Sequence, residues 1–131
     1  LMISEPLDMH HTISAVAFSG DGSSLFVATH EPRVARFQTD SMKRVWPVTE
    51  GTDFPSRLRT LVIDPKMERI LTGGWGGDIR EIDLNGKALH NARGESGVTS
   101  LRPLPDGASF VVTRENGKVE LRESQSGETG V

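Results

Sequence analysis

The sequence predicts an all-β fold built from repeated units of four short antiparallel strands. A unit of similar pattern recurs three times along the 131 residues, and each copy alternates short apolar runs with residues that favour tight turns. The hydrophobic content of 35% and the charged content of 25% are those of one ordinary globular domain. One domain of repeated β-units is therefore the expected organisation.

The three copies align without gaps from Ile13, Leu58 and Val98, at offsets of 45 and 40 residues. They read ISAVAFSGDGSSLFVATHEPRVARFQ, LRTLVIDPKMERILTGGWGGDIREID and VTSLRPLPDGASFVVTRENGKVELRE. Each copy predicts a strand, a tight turn, a strand, a loop and a strand. This pattern, at a period of about 40–45 residues, is typical of β-propeller blades.

The first copy predicts strands at Ile13–Phe18, Leu25–Thr29 and Arg33–Phe37. The turn Ser19-Gly20-Asp21-Gly22 joins the first two strands, and Pro105-Asp106-Gly107 is its counterpart in the third copy. Near-continuous apolar runs such as Leu25-Phe26-Val27-Ala28 fit strands that are covered on both faces by neighbouring blades.

The segments MKRVWPVTEG and GKALHNARGE, which lie between the copies, are each long enough for a fourth, outer strand. We therefore expect one partial propeller over residues 1–131. Its repeats should fall at about residues 1–38, 39–83 and 84–123, with a tail at 124–131.

The glycine-rich stretch LTGGWGGDIREIDLNGK could form either a phosphate cradle or a turn. A cradle needs a helix directly after the glycines, because the helix N-terminus supplies the free N–H groups. Asp78 to Asp83 instead alternates polar and apolar residues, as a strand does, and Asn85-Gly86 ends the run. We expect Gly73-Gly74-Trp75-Gly76-Gly77 to be the loop between the second and third strands of the middle copy.

The copies resemble WD repeats, through Val16-Ala17-Phe18-Ser19-Gly20-Asp21-Gly22 in the first copy and Gly117-Lys118-Val119-Glu120-Leu121 in the last. In that family an Asp in the loop before the third strand and a Trp at the end of that strand share a hydrogen-bonded network. Those places are held here by Glu31, Gly76 and Asn116, and by Phe37, Ile82 and Arg122. A divergent propeller of another repeat family stays open.

The resemblance implies that the loops before the third strands, with the loops that enter the first strands, form the face that binds partners. The candidate partner-binding residues on these loops are Trp75, His30, Glu31, Arg57, Glu115 and Asn116. Trp75 ranks first, because tryptophan is enriched among binding hot spots and its flanking glycines leave the ring accessible. The alternative is that Trp75 folds over the rim of its own blade and fills space.

No metal and no cofactor are expected. The chain has no cysteine, and His10 and His11, beside Asp8, point to opposite sides if the segment is extended. His30 and His90 are isolated in the sequence and are expected to be solvated.

No catalytic site is expected either. Glu81 and Asp83 lie on one side of a strand and could form a carboxylate pair, but a solvated rim is the favoured interpretation. Gly94-Glu95-Ser96-Gly97-Val98 lacks the final glycine of a nucleophile elbow. The residues expected to line the central channel carry no acid, base or metal ligand: Ser14, Ala15, Ala17, Thr60, Val62, Thr99 and Ser100.

Charge and hydropathy argue against a nucleic-acid-binding protein and against a membrane protein. A net charge of −3 and a pI near 5.8 argue against nucleic-acid binding. No apolar run is long enough to cross a bilayer, and LMISEPLDMHH lacks the features of a signal peptide, so a cytoplasmic location is expected. Five arginines could gather near the middle of the assembly, but nearby acids favour a mixed-charge surface: Arg33, Arg36, Arg57, Arg59 and Arg80.

The expected function is a non-catalytic interaction scaffold for a protein or peptide partner. The alternative is a fragment or assembly unit of a larger propeller-containing enzyme or sensor protein. Propellers use about 4–8 blades, so three repeats need either further sequence or other copies to close a ring. We expect a homo-oligomer in which the N-terminal strand of one copy pairs with Lys118–Arg122 of another. A dimer with six blades is favoured, and a trimer is possible.

Overall fold

Short antiparallel strands make up the regular structure of the chain. The computed structural model describes residues 8–31, 33–46, 56–64 and 68–124, and within these ranges it contains no helix. The strands are β1 (Ile13–Phe18), β2 (Ser24–Thr29), β3 (Arg33–Gln38), β4 (Arg44–Trp46), β5 (Leu58–Asp64), β6 (Arg69–Gly74), β7 (Ile79–Asp83), β8 (Ala88–Ala92), β9 (Val98–Pro103), β10 (Ser109–Arg114) and β11 (Val119–Glu123). Among the described residues the chain thus has no helix of the length and apolarity that crossing a membrane would require.

The strands form three sheets that follow one another along the chain. Their spatial orders are β1-β2-β3-β4, β5-β6-β7-β8 and β11-β10-β9. The outer strands β4 and β8 lie in the two segments for which a fourth strand is predicted. Residues 1–7 and 125–131, which carry most of the expected N-terminal strand and the tail, lie outside the described residues.

The sheets stack face to face, with β1 beside β5 and β5 beside β9. One apolar cluster, which includes Phe26, Leu58 and Ile82, lies between the first and second sheets. A second cluster, which includes Leu71 and Phe110, lies between the second and third sheets. Sheets that stack with their first strands side by side have the arrangement of propeller blades, so the predicted fold class is confirmed. The ring is not closed by the part of the chain that is described.

The predicted turn between the first two strands of each copy is present in the first and third blades. In the first blade the Asp21 carboxylate accepts hydrogen bonds from the Ser23 N–H, at 2.9 Å, and from the Ser23 hydroxyl, at 2.7 Å. In the third blade Asp106 accepts the Ala108 N–H at 2.8 Å. The glycine that follows each aspartate has positive φ, which explains the recurring Asp-Gly pair.

The glycine-rich stretch turns a corner, as predicted, because β7 follows it rather than a helix. The predicted boundary is wrong, however, since Gly73 and Gly74 belong to β6 and the turn covers only residues 75–78. A Cβ on Gly73 would lie 2.5 Å from Val98 Cγ1 of the third blade. A Cβ on Gly74 would lie 2.3 Å from Asp78 Oδ1. These two glycines therefore permit close packing inside a strand.

The prediction that Glu81 lies on a solvated rim is wrong. Its side chain is buried, and its Oε1 accepts a hydrogen bond from Arg69 Nη1 at 3.4 Å. Both faces of the middle blade are covered by neighbouring blades, so polar alternation along β7 does not mark a face that meets solvent. Asp83, the other member of the pair, accepts the N–H groups of Asn85 and Lys87 and closes the next turn.

Candidate functional site

The six predicted partner-binding residues lie at one end of the three blades. His30 and Glu31 lie between β2 and β3, Trp75 between β6 and β7, and Glu115 and Asn116 between β10 and β11. Arg57 directly precedes β5. We call this end, from residues 10–12, 30–31, 56–59, 75–78, 94–97 and 115–118, the loop face.

Trp75 is the largest apolar side chain exposed on the loop face, with about half of its surface accessible. Its backbone N–H donates to Arg57 O at 2.9 Å, and the turn behind it is closed by Gly77 N–H donating to Gly74 O at 3.1 Å. The Arg59 guanidinium carbon lies 3.9 Å from the centroid of its ring. The ring is thus fixed on one side and accessible on the other.

Glu115, in the loop of the third blade, contacts Arg59, the residue that lies over the Trp75 ring. Its carboxylate forms an ion pair with Arg59, and its N–H donates to Gly97 O at 2.9 Å. Asn116 donates its N–H to Ser96 Oγ at 3.0 Å and accepts the Lys118 N–H with its side chain at 3.1 Å. The Asn116 side chain thus shapes its own turn while lying exposed.

An open cleft of about 680 Å³ on the loop face is lined by His10, His11, Thr12, His30, Glu31 and Arg57. His11 pairs with Glu31 at 3.3 Å, whereas His10 lies 3.6 Å from Asp8, so the adjacent histidines contact different carboxylates. The His30 N–H donates to Thr12 O at 2.8 Å. Nowhere in the described residues do three His, Asp or Glu side chains come together as metal ligands.

The predicted arginines do not gather into one basic patch. Arg33 pairs with Glu31 at 3.5 Å, and Arg59 pairs with Glu115. Arg36 instead joins two blades, because its Nη1 donates to Leu84 O at 2.8 Å. The surface around the loop face carries both signs of charge, as expected.

Several residues expected to line a central channel pack against apolar clusters or form hydrogen bonds within their own blade. Ala15 and Ala17 pack against the cluster between the first and second blades, and Val62 packs against the next cluster. Thr99 and Ser100 both share hydrogen bonds with the Thr113 hydroxyl, at 2.6 and 2.7 Å. Ala15, Ala17 and Val62 thus contact neighbouring blades. Because the described residues do not close a ring, the lining of a central channel stays a prediction.

Arg114 is an important residue of this end of the blades that is not among the predicted site residues. Its buried side chain donates from Nη1 to Gly77 O at 2.9 Å and to Ser96 O at 2.8 Å, and from Nε to Glu120 at 2.7 Å. The Arg114 guanidinium, more than any other group, lowers the pKa of the Glu120 carboxyl. The sequence does contain a signal for the burial of Arg114, because alternation along β10 places it on the same buried face as Phe110 and Val112.

Ser96 also makes contacts that hold neighbouring loops together. Its carbonyl oxygen binds Arg114, its hydroxyl binds the Asn116 N–H, and strand β9 follows it two residues later. A nucleophile elbow instead lies between a strand and a helix. Arg114 and Ser96 together tie the loops of the second and third blades to each other.

No protein-family model matches the sequence, and no curated protein matches it significantly. Among solved structures 712 chains match, and one of them belongs to the crystal structure of a mitotic checkpoint complex. That match has a TM-score of 0.78 and 19% sequence identity, and it covers 92% of this chain. The chain spans about a third of the length of that solved chain, at 36%.

At this level of identity the likeness shows the fold alone. It supports the identification of the three sheets as propeller blades. A fold shared by so many chains does not specify a function, which has to be argued from the loop face itself. Membership of the WD-repeat family stays a prediction.

Proposed function

We propose that the chain is a non-catalytic scaffold that binds a protein or peptide on its loop face. The observation that carries the proposal is the half-exposed Trp75 ring, held by Arg59, which is itself held by Glu115 of the next blade. An aromatic ring that is already fixed loses little conformational freedom on binding, so more of its contact energy contributes to affinity.

The surroundings of Trp75 fit an interface with an apolar centre and a polar rim. The cleft beside Arg57 supplies His30 and Glu31, and the third blade supplies Glu115 and Asn116. These polar groups would fix the orientation of a partner, whereas Trp75 would contribute most of the affinity. No cofactor, metal or nucleic acid is part of the proposal, and a cytoplasmic location stays a prediction.

The test is the substitution Trp75→Ala, assayed on a partner isolated with the wild-type chain. If Trp75 is a hot spot, the free energy of binding should weaken by about 2 kcal/mol. Val45→Ala, which alters an exposed apolar side chain on β4, is the matched control and should leave affinity unchanged. If Trp75→Ala lowers the unfolding midpoint instead and leaves affinity intact, the ring is a packing element and the proposal is wrong.

A second proposal concerns assembly. We propose that other copies of the chain complete the ring, with a dimer of six blades favoured over a trimer of nine. The proposal is supported by β11, which is an edge strand among the described residues, whereas its counterparts β3 and β7 each pair with a fourth strand. The alternative, a unit of a larger propeller-containing enzyme or sensor, is favoured if the isolated chain turns over a substrate or stays monomeric.

A further inference from the structure

Large apolar side chains are exposed at both open ends of the stack of blades. Ile13, Val16 and Phe18 are exposed on β1 of the first blade, and Val119 and Leu121 are exposed on β11 of the third. Elsewhere in the described residues only Val45 and Trp75 belong to this exposed class. Exposed apolar side chains are thus concentrated on the two end faces.

The repeat shows what these faces are. Val16, Leu61 and Leu101 are equivalent positions in the three copies, and their exposed fractions are 54%, 5% and 1%. Ile13 is equivalent to Leu58 and Val98, which are both fully buried. Leu58 and Leu61 pack in the cluster shared with the first blade, and Val98 and Leu101 pack in the cluster shared with the second. The β1 side chains therefore lie on the face that receives a preceding blade.

The third blade shows the complementary case. Val119 is equivalent to Val34 and Ile79, and its exposed fraction is 70%, against 0% and 2% for those two residues. Val34 packs toward the second blade and Ile79 toward the third. Val119 therefore lies on the face that receives a following blade. The two open faces of the chain thus correspond to the two halves of a joint that the chain already forms twice. On the first of them, among the described residues, only the apolar side chains of β1 are exposed, since Val27, Ala35 and Phe37 already form a buried cluster against which Met9 and Leu25 pack.

We propose that the open face of the third blade docks onto the open face of the first blade of a second copy, head to tail. This inference rests on the proposed ring and specifies its joint. Both faces also carry charge. Arg44 lies 5.9 Å from the centroid of the Phe37 ring on the first face. Glu123 lies on the other face, beside Leu121 by strand alternation.

One position makes this joint weaker than the internal joints. Arg102 stands where the other copies have Ala17 and Val62, both of which pack between blades. Its charge must be covered when the faces meet, so association should be reversible and should depend on concentration. The same position offers a substitution, Arg102→Val, that restores the residue of the middle blade.

Sedimentation over a concentration series tests the joint. The wild-type chain should form a multiple of 14.3 kDa. Val16→Glu should raise the dissociation constant by roughly 10-fold or more, because it places a carboxylate in the apolar joint. Arg102→Val should lower that constant. Val45→Ala is the matched control, since Val45 is exposed on β4 on the opposite side of that strand from Arg44, and it should leave association unchanged.

A disulfide tests the direction of docking. Across the joint between the second and third blades, a Cβ on Gly73 would lie 2.9 Å from Val98 Cβ, and the equivalent positions at the new joint are Thr113 and Ile13. The chain has no cysteine of its own. Copies with Ile13→Cys, mixed under oxidising conditions with copies that carry Thr113→Cys, should form a mixed disulfide faster than either copy forms a disulfide with itself.

The possible results distinguish the proposed ring from the proposed joint. A chain that stays monomeric at every concentration and forms no mixed disulfide overturns both proposals. Oligomers that respond neither to Val16→Glu nor to Arg102→Val leave the ring standing and overturn this joint. Symmetrical disulfides alone, with little of the mixed species, overturn the head-to-tail direction.

Discussion

The Arg59 guanidinium lies over the Trp75 ring, 3.9 Å from its centroid, and pairs at the same time with Glu115 of the next blade. One cation from the innermost strand of the second blade thus fixes an aromatic ring in its own blade and a carboxylate in another. The loop face is held in shape by contacts between side chains that are distant in sequence.

Removing that cation should loosen the ring. In a Trp46→Phe background, where Trp75 is the only tryptophan, Arg59→Ala should increase the quenching of Trp75 fluorescence by iodide. The free energy of unfolding should fall by no more than about 1 kcal/mol, since the stacked pair is only partly buried. Arg57→Ala is the control and should leave the quenching unchanged. Unchanged quenching in Arg59→Ala would show that the turn alone fixes the ring.

Arg114→Met should be far more destabilising than any loop substitution. It leaves two carbonyl oxygens and the Glu120 carboxylate without the buried donor that binds them. We expect a loss of about 3 kcal/mol in the free energy of unfolding, measured by urea denaturation. Arg93→Met, which alters an exposed arginine nearby, should change it by less than about 0.5 kcal/mol. Equal effects would mean that the Arg114 contacts contribute nothing specific.

Gly77 and Gly117 form a matched pair, because they are equivalent positions with φ of +100° and +89°. Gly117→Ala should cost about 1 kcal/mol through backbone strain alone, since nothing lies within 4 Å of its added Cβ. Gly77→Ala should cost clearly more, because its Cβ would lie 2.5 Å from Gly94 O. Urea midpoints of the two variants measure the difference, and equal losses would contradict the close approach of the two loops.

Asp21 should make the free energy of unfolding depend on pH in the acid range. Hydrogen bonds from the Ser23 backbone and from the Ser23 and Ser19 hydroxyls lower the pKa of Asp21 from 3.8 to about 2. A lowered pKa in the folded state stabilises the chain above the unfolded value, and this contribution is lost as the pH falls toward about 2. The gap in urea midpoint between wild type and Asp21→Asn should therefore be present near neutral pH and shrink between about pH 4 and pH 2. A gap that stays constant over that range would contradict this account.

Local patterns predicted the blades well. The strand β1 has the predicted bounds, and β2 and β3 each differ from theirs by one residue. Turns built on Asp-Gly pairs and an interval of 40 or 45 residues are properties of short segments, so the sequence displays them directly. The equivalence of the copies also explains why all six predicted site residues fall at one end of the blades.

The predictions that are wrong concern residues whose surroundings are set by contacts between blades. Glu81 looks solvent-facing within its own strand and is buried only because neighbouring blades cover both faces of the sheet. Gly73 looks like a loop residue, yet it is a strand residue that leaves room for Val98 of the next blade. The bridge from Arg114 to Gly77 spans 37 positions, and a periodic pattern does not indicate such a bridge.

The proposed joint between the faces at Val16 and Val119 also has a consequence for solubility. A joint between two different surfaces can repeat without limit, and it gives a closed ring only if the rotation from copy to copy divides a full turn. Any other rotation produces an open helical filament from the same contacts. The angle between adjacent blades, set by cores such as Phe26 against Leu58, thus separates a finite assembly from a fibre. A substitution that swells such a core, far from either open face, should favour polymerisation without altering a single residue of the joint.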